Sequence, residues 1–322
     1  MASSRVVLVT AASGNIGEHL VPLLASDPTI KLILPTSQAS TLQAQLEQHQ
    51  QCHPGSNIFI EEGSIKDPNW FQGLLASHNV DTVFLNLTGD DELFTSLNCI
   101  DSLSRSSTVK QVIYLSACMD FDSNEGIQHC IANCSAAHVL VKPLVEQKLV
   151  HGKLPFDWTI LRPSMFFTND FRSKQSMLET GVFDVPFGEV GHSRVAPWNI
   201  ALAVQNLVAA AASGSKKWSQ KKISIGSGKA FKGSEIVRIW SEALGREITV
   251  LPANEEGFQK VEESFGKMRG PAWGRDLRLM YEFFAVHGIG MTEEQYRQQV
   301  ELLGREPDDY VEWVKSSARQ WV

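Results

Sequence analysis

Short apolar runs alternate with longer stretches of helical spacing through the first half of the chain. Residues 5–10 form the first run, and residues 15–24 have the spacing of a helix. Residues 31–36 form the next run, followed by a polar helix that carries Gln43, Gln45 and Glu47. Residues 57–61 are a third run, with a helix over 70–75. Residues 81–87 are a fourth, ending in NLTGD, with a helix over 92–103. Residues 110–116, KQVIYLS, are a fifth. Strands that are apolar at nearly every position are buried on both faces, as in a parallel sheet sandwiched between helices. Crossovers between parallel strands are right-handed, which leaves a doubly wound α/β sheet as the expected fold.

Beyond residue 150 the pattern loosens. FDWTILRPSMFF (156–167) is another strand. Residues 168–193 hold Gly, Pro and Phe without a clear period. A helix is expected over 199–212 and a short strand over 222–226. GSEIVRIWSEALG (233–245) is a helix with glycine at its stop, REITVLP is a strand, and 293–320 is helical. There is no repeat, low-complexity tract or flexible linker.

Composition narrows the function classes. The 322 residues are 43% hydrophobic and 20% charged, which is ordinary for a globular protein with a large core. The net charge is -7, and KKWSQKK (216–222) is the nearest thing to a basic run, so a nucleic-acid partner is not expected. The longest apolar stretch, 200–212, contains Gln205 and Asn206 and is too short to span a bilayer, so no membrane partner is expected either. The chain enters its first strand without a signal-peptide pattern, and its cysteines number five. An odd count fits a reducing compartment, and a cytoplasmic location is the expectation.

The first strand runs into VTAASGNIG (9–17). Glycines or small residues at 11, 14 and 17, between a strand and a helix, have the spacing of the dinucleotide-binding turn of short-chain dehydrogenases. Such a turn aims a helix N-terminus at a pyrophosphate. Thr10, Ala11, Ser13, Gly14, Asn15 and Ile16 are the expected contacts. Ala11 replaces the first glycine; if that position requires a positive φ, the methyl costs about 1–2 kcal/mol. The second strand ends LPTSQ, with neither an acid for the ribose hydroxyls nor a base for a phosphate. Thr36 and Ser37 are the expected contacts there, favouring NADP(H) over NAD(H) through hydroxyls and backbone.

Six segments in order resemble the NmrA-like family of atypical short-chain dehydrogenases, and its fungal members most closely. They are VTAASGNIG, EEGSIKDP (61–68), VKQVIYLSA (109–117), HVLVKPLVEQKL (138–149), WTILRPSMFFTN (158–169) and LLGREPDDYVEWV (302–314), spread over essentially the whole chain. The resemblance implies a Rossmann-like domain, expected over 3–162 plus 195–227. It also implies a smaller α/β substrate domain, expected over 163–194 plus 228–322, with a cleft between the two. It places Asn86, Leu87 and Thr88 and Pro163 at the nicotinamide end, and Ser64 near the adenine where the family carries aspartate. Met165, Phe166 and Phe167 then open the substrate side, suited to a small apolar or aromatic molecule.

Typical short-chain dehydrogenases use Ser, Tyr and Lys, with Tyr four residues before Lys. This chain offers Ser116 and the pair His138 and Lys142 instead. On a helix, a spacing of four puts both on one face. Imidazole serves as acid or base near neutrality, and a nearby ammonium would favour its neutral form. Pro143 speaks against the pairing, because the residue before proline is biased away from helix. If a helix starts at Pro143, the two side chains need not share a face. HCIANCSAAH (129–138) contains His129, Cys130, Cys134 and His138, but on one continuous helix Cys130 and His138 lie about 12 Å apart along the axis. They cannot share a zinc ion, so no metal site is expected. The thiols remain a candidate redox-sensitive pair.

Three functions stay open. One is an NADPH-dependent reductase of an aromatic or polyketide-derived ketone or quinone in fungal secondary metabolism. Another is a nucleotide-sensing regulator that contacts a protein partner. The third is a redox-neutral isomerase, cyclase or dehydratase on the same fold.

Overall fold

The computed structural model describes residues 5–48 and 57–321. The first half alternates as β1 (Arg5–Val9), α1 (Gly17–Ala25), β2 (Ile30–Thr36), α2 (Ala39–Gln48), β3 (Ile58–Glu62) and α3 (Pro68–His78). It continues with β4 (Thr82–Leu85), α4 (Glu92–Arg105), β5 (Gln111–Leu115), α5 (Asn124–Asn133), α6 (Ala137–His151) and β6 (Asp157–Pro163). The second half runs through β7 (Met165–Phe166), a 3-10 segment (Phe167–Ser173), α7 (Lys174–Thr180), β8 (Val182–Phe183), β9 (His192–Val195), α8 (Pro197–Ala212) and β10 (Lys221–Ile225). It ends with β11 (Ala230–Phe231), α9 (Gly233–Leu244), β12 (Thr249–Val250), α10 (Glu255–Arg269), α11 (Pro271–Val286), α12 (Glu293–Leu303) and α13 (Tyr310–Trp321).

The main sheet has seven strands in the order β10-β6-β5-β4-β1-β2-β3, all parallel. This is the doubly wound, Rossmann-like arrangement the apolar runs imply. The order reverses between β1 and β4, and a ligand crevice opens outside the carboxyl ends of the strands at such a point. One face packs Val7, Val9, Leu32 and Leu34 against α1 and α8; the other packs Leu8, Ile33, Val83 and Leu85 against α3 and α4. Both faces are dry, which is why the strands read as unbroken apolar runs.

Local chemistry sets several boundaries. Asp67 accepts from the Asn69 and Trp70 N–H groups ahead of Pro68, and Asn79 closes α3 in the left-handed conformation. Thr292 and Gln295 form a capping box on α12, and Gly304, at φ 70°, ends it. That glycine divides the expected 293–320 helix into α12 and α13. The aperiodic 168–193 segment folds into the 3-10 turn, α7, β8 and β9, elements too short to leave a period. α6 passes through Pro143 instead of starting there. Proline removes only its own bond to the carbonyl four residues back, and burial of Val139, Val141, Val145 and Leu149 holds the helix through it.

The remaining elements build a second core around Phe183, Phe187, Trp240, Tyr281 and Phe284. α12 turns back to the first core, where Leu302 and Leu303 pack with α8 and β10 residues. No helix among the described residues is long and apolar enough to cross a membrane.

Candidate active site

The turn after β1 is left-handed at Ala11, φ 54°. The Ala11 carbonyl accepts from the Gly14 N–H at 3.0 Å, which closes the turn. A methyl on Gly17 would collide with the Ala11 and Ala12 carbonyls, so glycine is required where α1 packs onto β1. Ser13 and Asn15 are exposed, and no side chain caps α1 at Ile16. The Glu18 and His19 N–H groups bond back to the Gly14 and Ile16 carbonyls, which leaves the N–H groups of Asn15, Ile16 and Gly17 available to a phosphate. Thr10 turns inward: its hydroxyl donates to the Asn86 carbonyl at 2.9 Å and accepts from the Asn86 N–H at 2.8 Å. It pins β1 to β4 across the topological switch, and with the residue 1% exposed that hydroxyl is not free for a nucleotide.

At the ribose end, Ser37 is exposed and the Thr36 hydroxyl accepts from the Gln38 N–H at 3.1 Å. The acid that β2 lacks arrives from its neighbour. Glu62 is paired in register with Thr36, and its Oε2 accepts from the Ala39 N–H at 3.3 Å. β2 alone gives no sign of it; the parallel register of β2 and β3 is the signal that places a carboxylate beside Thr36. Ser64 is exposed, and its hydroxyl accepts from the Lys66 N–H at 3.2 Å.

Lys142 reaches the opposite end of the crevice from α6. Its ammonium donates to Glu92 Oε1 at 2.5 Å and lies 3.4 Å from the Leu87 carbonyl and 3.5 Å from the Leu115 carbonyl. Both side chains are nearly buried. Burial pushes the Glu92 carboxyl up from its ordinary value, against the pull of Lys142. Glu92 Oε2 and the Tyr114 hydroxyl have no protein partner among the described residues. Asn86 is half-buried and Thr88 exposed at the end of β4, and Pro163 is buried as the last residue of β6.

His138 lies one turn before Lys142 on the same helix, as the four-residue spacing anticipates. Glu92 neutralises the neighbouring ammonium, and the group that bonds the imidazole is Asp276 of α11, on Nδ1. Ser116 differs from the expectation of a free hydroxyl: it donates to Glu146 Oε1 at 2.5 Å. Glu146 is fully buried and also receives the Arg162 guanidinium, which reaches on to Asp122. Ser116 is thereby committed to a buried ionic network beneath β5 and β6.

The HCIANCSAAH segment is two helices, not one. The backbone extends at Cys134 and Ala136 between α5 and α6. Cys130 and Cys134 are buried, and their mutual hydrogen bond pushes the Cys130 thiol up. His129 faces Asn133 and His287, and His138 faces Asp276, so the four residues do not converge. Among the described residues no group of three or more metal-binding side chains is found.

A cavity of about 480 Å³ opens over His138, lined by Leu93, Leu140, Val141, Leu144 and Trp273. Glu92 and Asp276 also reach its wall. The aromatics expected to line the substrate side lie elsewhere. Phe167 is fully buried against Tyr310 and Trp313 in the second core, so it cannot face a ligand. Met165 and Phe166 pair with Arg194 and Val195 in a small sheet. The apolar lining comes instead from α4, α6 and α11, whose helical spacing looks the same whether a residue faces a core or a pocket.

An open parallel sheet, a glycine turn opening a helix and a polar cluster at the carboxyl edge define a protein of the Rossmann-type α/β class. The chain belongs to the NmrA-like family, whose family model matches residues 3–314. No curated protein matches it. Solved structures do. A nucleoside-diphosphate-sugar epimerase from Staphylococcus aureus aligns with TM-score 0.75 at 14% identity, covering 96% of this chain and 99% of that one. An NADPH-dependent quinone oxidoreductase from Escherichia coli, complexed with NADPH, aligns with TM-score 0.73 at 15% identity over 97% and 99%. A triphenylmethane reductase from Citrobacter sp., complexed with NADP(H), gives 0.72 at 16% over 97% and 99%. At these identities the likeness is one of fold.

Proposed function

We propose that the chain is an NAD(P)H-dependent oxidoreductase that reduces a flat, apolar or aromatic ketone or quinone. The observation that carries this reading is His138, bonded through Nδ1 and opening onto an apolar cavity beside the Lys142–Glu92 pair. NADP(H) is supported by the two nucleotide-bound neighbours. When bound, the reduced nicotinamide supplies the hydride.

The chain's own residues do the rest. The N–H groups of Asn15, Ile16 and Gly17, with the exposed Ser13 side chain, hold the pyrophosphate. Ser37 and Ser64 border the adenosine. Lys142, fixed by Glu92 next to the Leu87 carbonyl, orients the ribose at the end of β4. Leu93, Leu140, Leu144 and Trp273 hold an apolar ring and exclude water. Protonated His138 gives its Nε2 proton to the carbonyl oxygen as the new C–H bond forms, and the neutral ring regains a proton from solvent. Ser116 has a structural task, locking β5 to α6 through Glu146. The sheet and its flanking helices form the nucleotide unit, and α9–α11 with the small sheets form the substrate unit. A polyketide-derived aromatic in fungal secondary metabolism is a substrate of suitable shape and polarity.

The test is steady-state reduction of menadione by NADPH and by NADH, together with fluorescence titration of both nucleotides. Turnover that His138→Ala abolishes while NADPH still binds supports the assignment. Strained Ala11 and the committed Ser116 hydroxyl favour a second reading, a nucleotide-sensing regulator. Tight NADPH binding without turnover of ketones or quinones would support that instead.

A further inference from the structure

The helix that carries His138 and Lys142 begins without a cap of its own. Its N-cap residue is Ala136, whose methyl accepts no hydrogen bond, so the first N–H groups of α6 need an acceptor from elsewhere. Asp276 provides it, 139 residues downstream of Ala137. Its Oδ1 accepts from the Ala137 N–H at 2.5 Å, and its Oδ2 takes Nδ1 of His138. One carboxylate thus fixes both the start of the helix and the imidazole on its first turn.

The surroundings leave Asp276 free for this task. The flanking cations are engaged elsewhere, Arg275 with Glu262 and Arg278 with Glu255, Glu262 and Glu282. Asp276 and His138 side chains are 17% and 22% exposed, so the pair is shielded yet still open to the cavity. Trp273, one turn earlier on α11, tilts against the imidazole with ring centres 5.8 Å apart. Burial would raise the Asp276 carboxyl, but the His138 ring and the N–H groups of Ala137 and His138 hold it below its ordinary value.

Resting on the reductase reading, we propose that Asp276 is a positioning residue: it holds Nδ1 of His138 so that Nε2 points into the apolar cavity, and it ties the proton donor to docking of the α10–α11 hairpin. The acid–base helix is completed from the substrate side, so the donor is aligned only when the second core is in place. A carboxylate behind a catalytic imidazole fixes its tautomer and its orientation in this way.

Two variants separate this role from that of a simple cap. Asp276→Asn keeps an oxygen acceptor for Ala137 and removes the charge; Asp276→Ala removes both. The assay is menadione reduction by NADPH, with Tm from thermal unfolding and long-range ¹H–¹⁵N spectra of the His138 ring. Asp276→Asn is expected to lower kcat about 10- to 100-fold with KM and Tm near wild type and with the His138 ring nitrogens shifted. Asp276→Ala is expected to show the same kcat loss and a lower Tm. Wild-type kcat and unmoved ring signals in Asp276→Asn would overturn the proposal. So would a kcat loss confined to Asp276→Ala and matched by unfolding, which would make Asp276 a cap alone. If the wild-type protein binds NADPH but turns nothing over, the reductase reading fails, and the ring spectra alone decide whether Asp276 holds the imidazole.

Discussion

Replacing Ala11 by glycine isolates the strain at the nucleotide turn. Ala11 sits at φ 54°, where an L side chain costs about 1–2 kcal/mol relative to the right-handed region. The residue is exposed, so its methyl contributes no core packing that would offset this. Glycine removes the strain but makes the unfolded chain more flexible, which returns about 0.4–1 kcal/mol. The net expectation is a stabilisation of about 0.5–1 kcal/mol. A chain of 322 residues unfolds with an entropy near ~0.7 kcal/mol/K, so Tm should rise by only about 1–2 °C. The denaturation midpoint in urea, measured with an unchanged m value, is the sharper assay. Gly17→Ala is the control: its methyl meets the Ala11 and Ala12 carbonyls, so it should destabilise and weaken NADPH binding together. An Ala11→Gly variant that is less stable than wild type would refute the reasoning, because Ala11 could not then be left-handed in the folded protein.

Other expectations are as specific. His138→Ala should lower kcat for menadione about 10²- to 10⁴-fold while the NADPH Kd, read by fluorescence titration, stays put. Glu92→Ala leaves the Lys142 ammonium buried and unpaired, and should cost about 3–5 kcal/mol in urea unfolding; a near-neutral result would show that Lys142 finds another partner. Glu62→Gln removes the carboxylate beside Thr36 and should shift the NADPH-to-NADH affinity ratio about three- to tenfold towards NADPH. Asp276 has a lowered folded-state value, so its stabilisation is full above the ordinary carboxylate pKa of about 3.9 and is lost as pH falls below it. Asp276→Asn should flatten that part of the acid limb in urea midpoints measured from pH 6 down to 3.

The sheet was legible because each of its buried strands announces itself locally. Val6 to Val9 and Val112 to Leu115 are apolar at nearly every position, and the turn signals fall between them. The nucleotide turn was legible for the same reason, since Gly14 and Gly17 act within a few residues of each other. What escaped was contact at a distance. Nothing near His138 points to Asp276, which comes from a helix 138 residues downstream. Glu62 serves the end of β2 only because β3 lies beside it in register. Phe167 misled for a different reason: an aromatic after a strand at the cleft edge has the same pattern whether it lines a pocket or closes a core. Pro143 misled through propensity, which packing of the flanking apolar residues overrode.

The path of the chain limits how such a protein can change. The seventh strand of the main sheet, β10, is supplied only after β7, β8 and β9 have been laid down in the two small sheets, and α12 returns to the first core after α11 has packed in the second. No single cut in the sequence separates the first core from the second. A recombination event that exchanged one C-terminal segment for another would carry off an edge strand and a packing helix along with the pocket wall. On the proposed function, new substrate ranges would therefore arise residue by residue, at cavity positions such as Leu140, Leu144 and Trp273, and not by swapping a module.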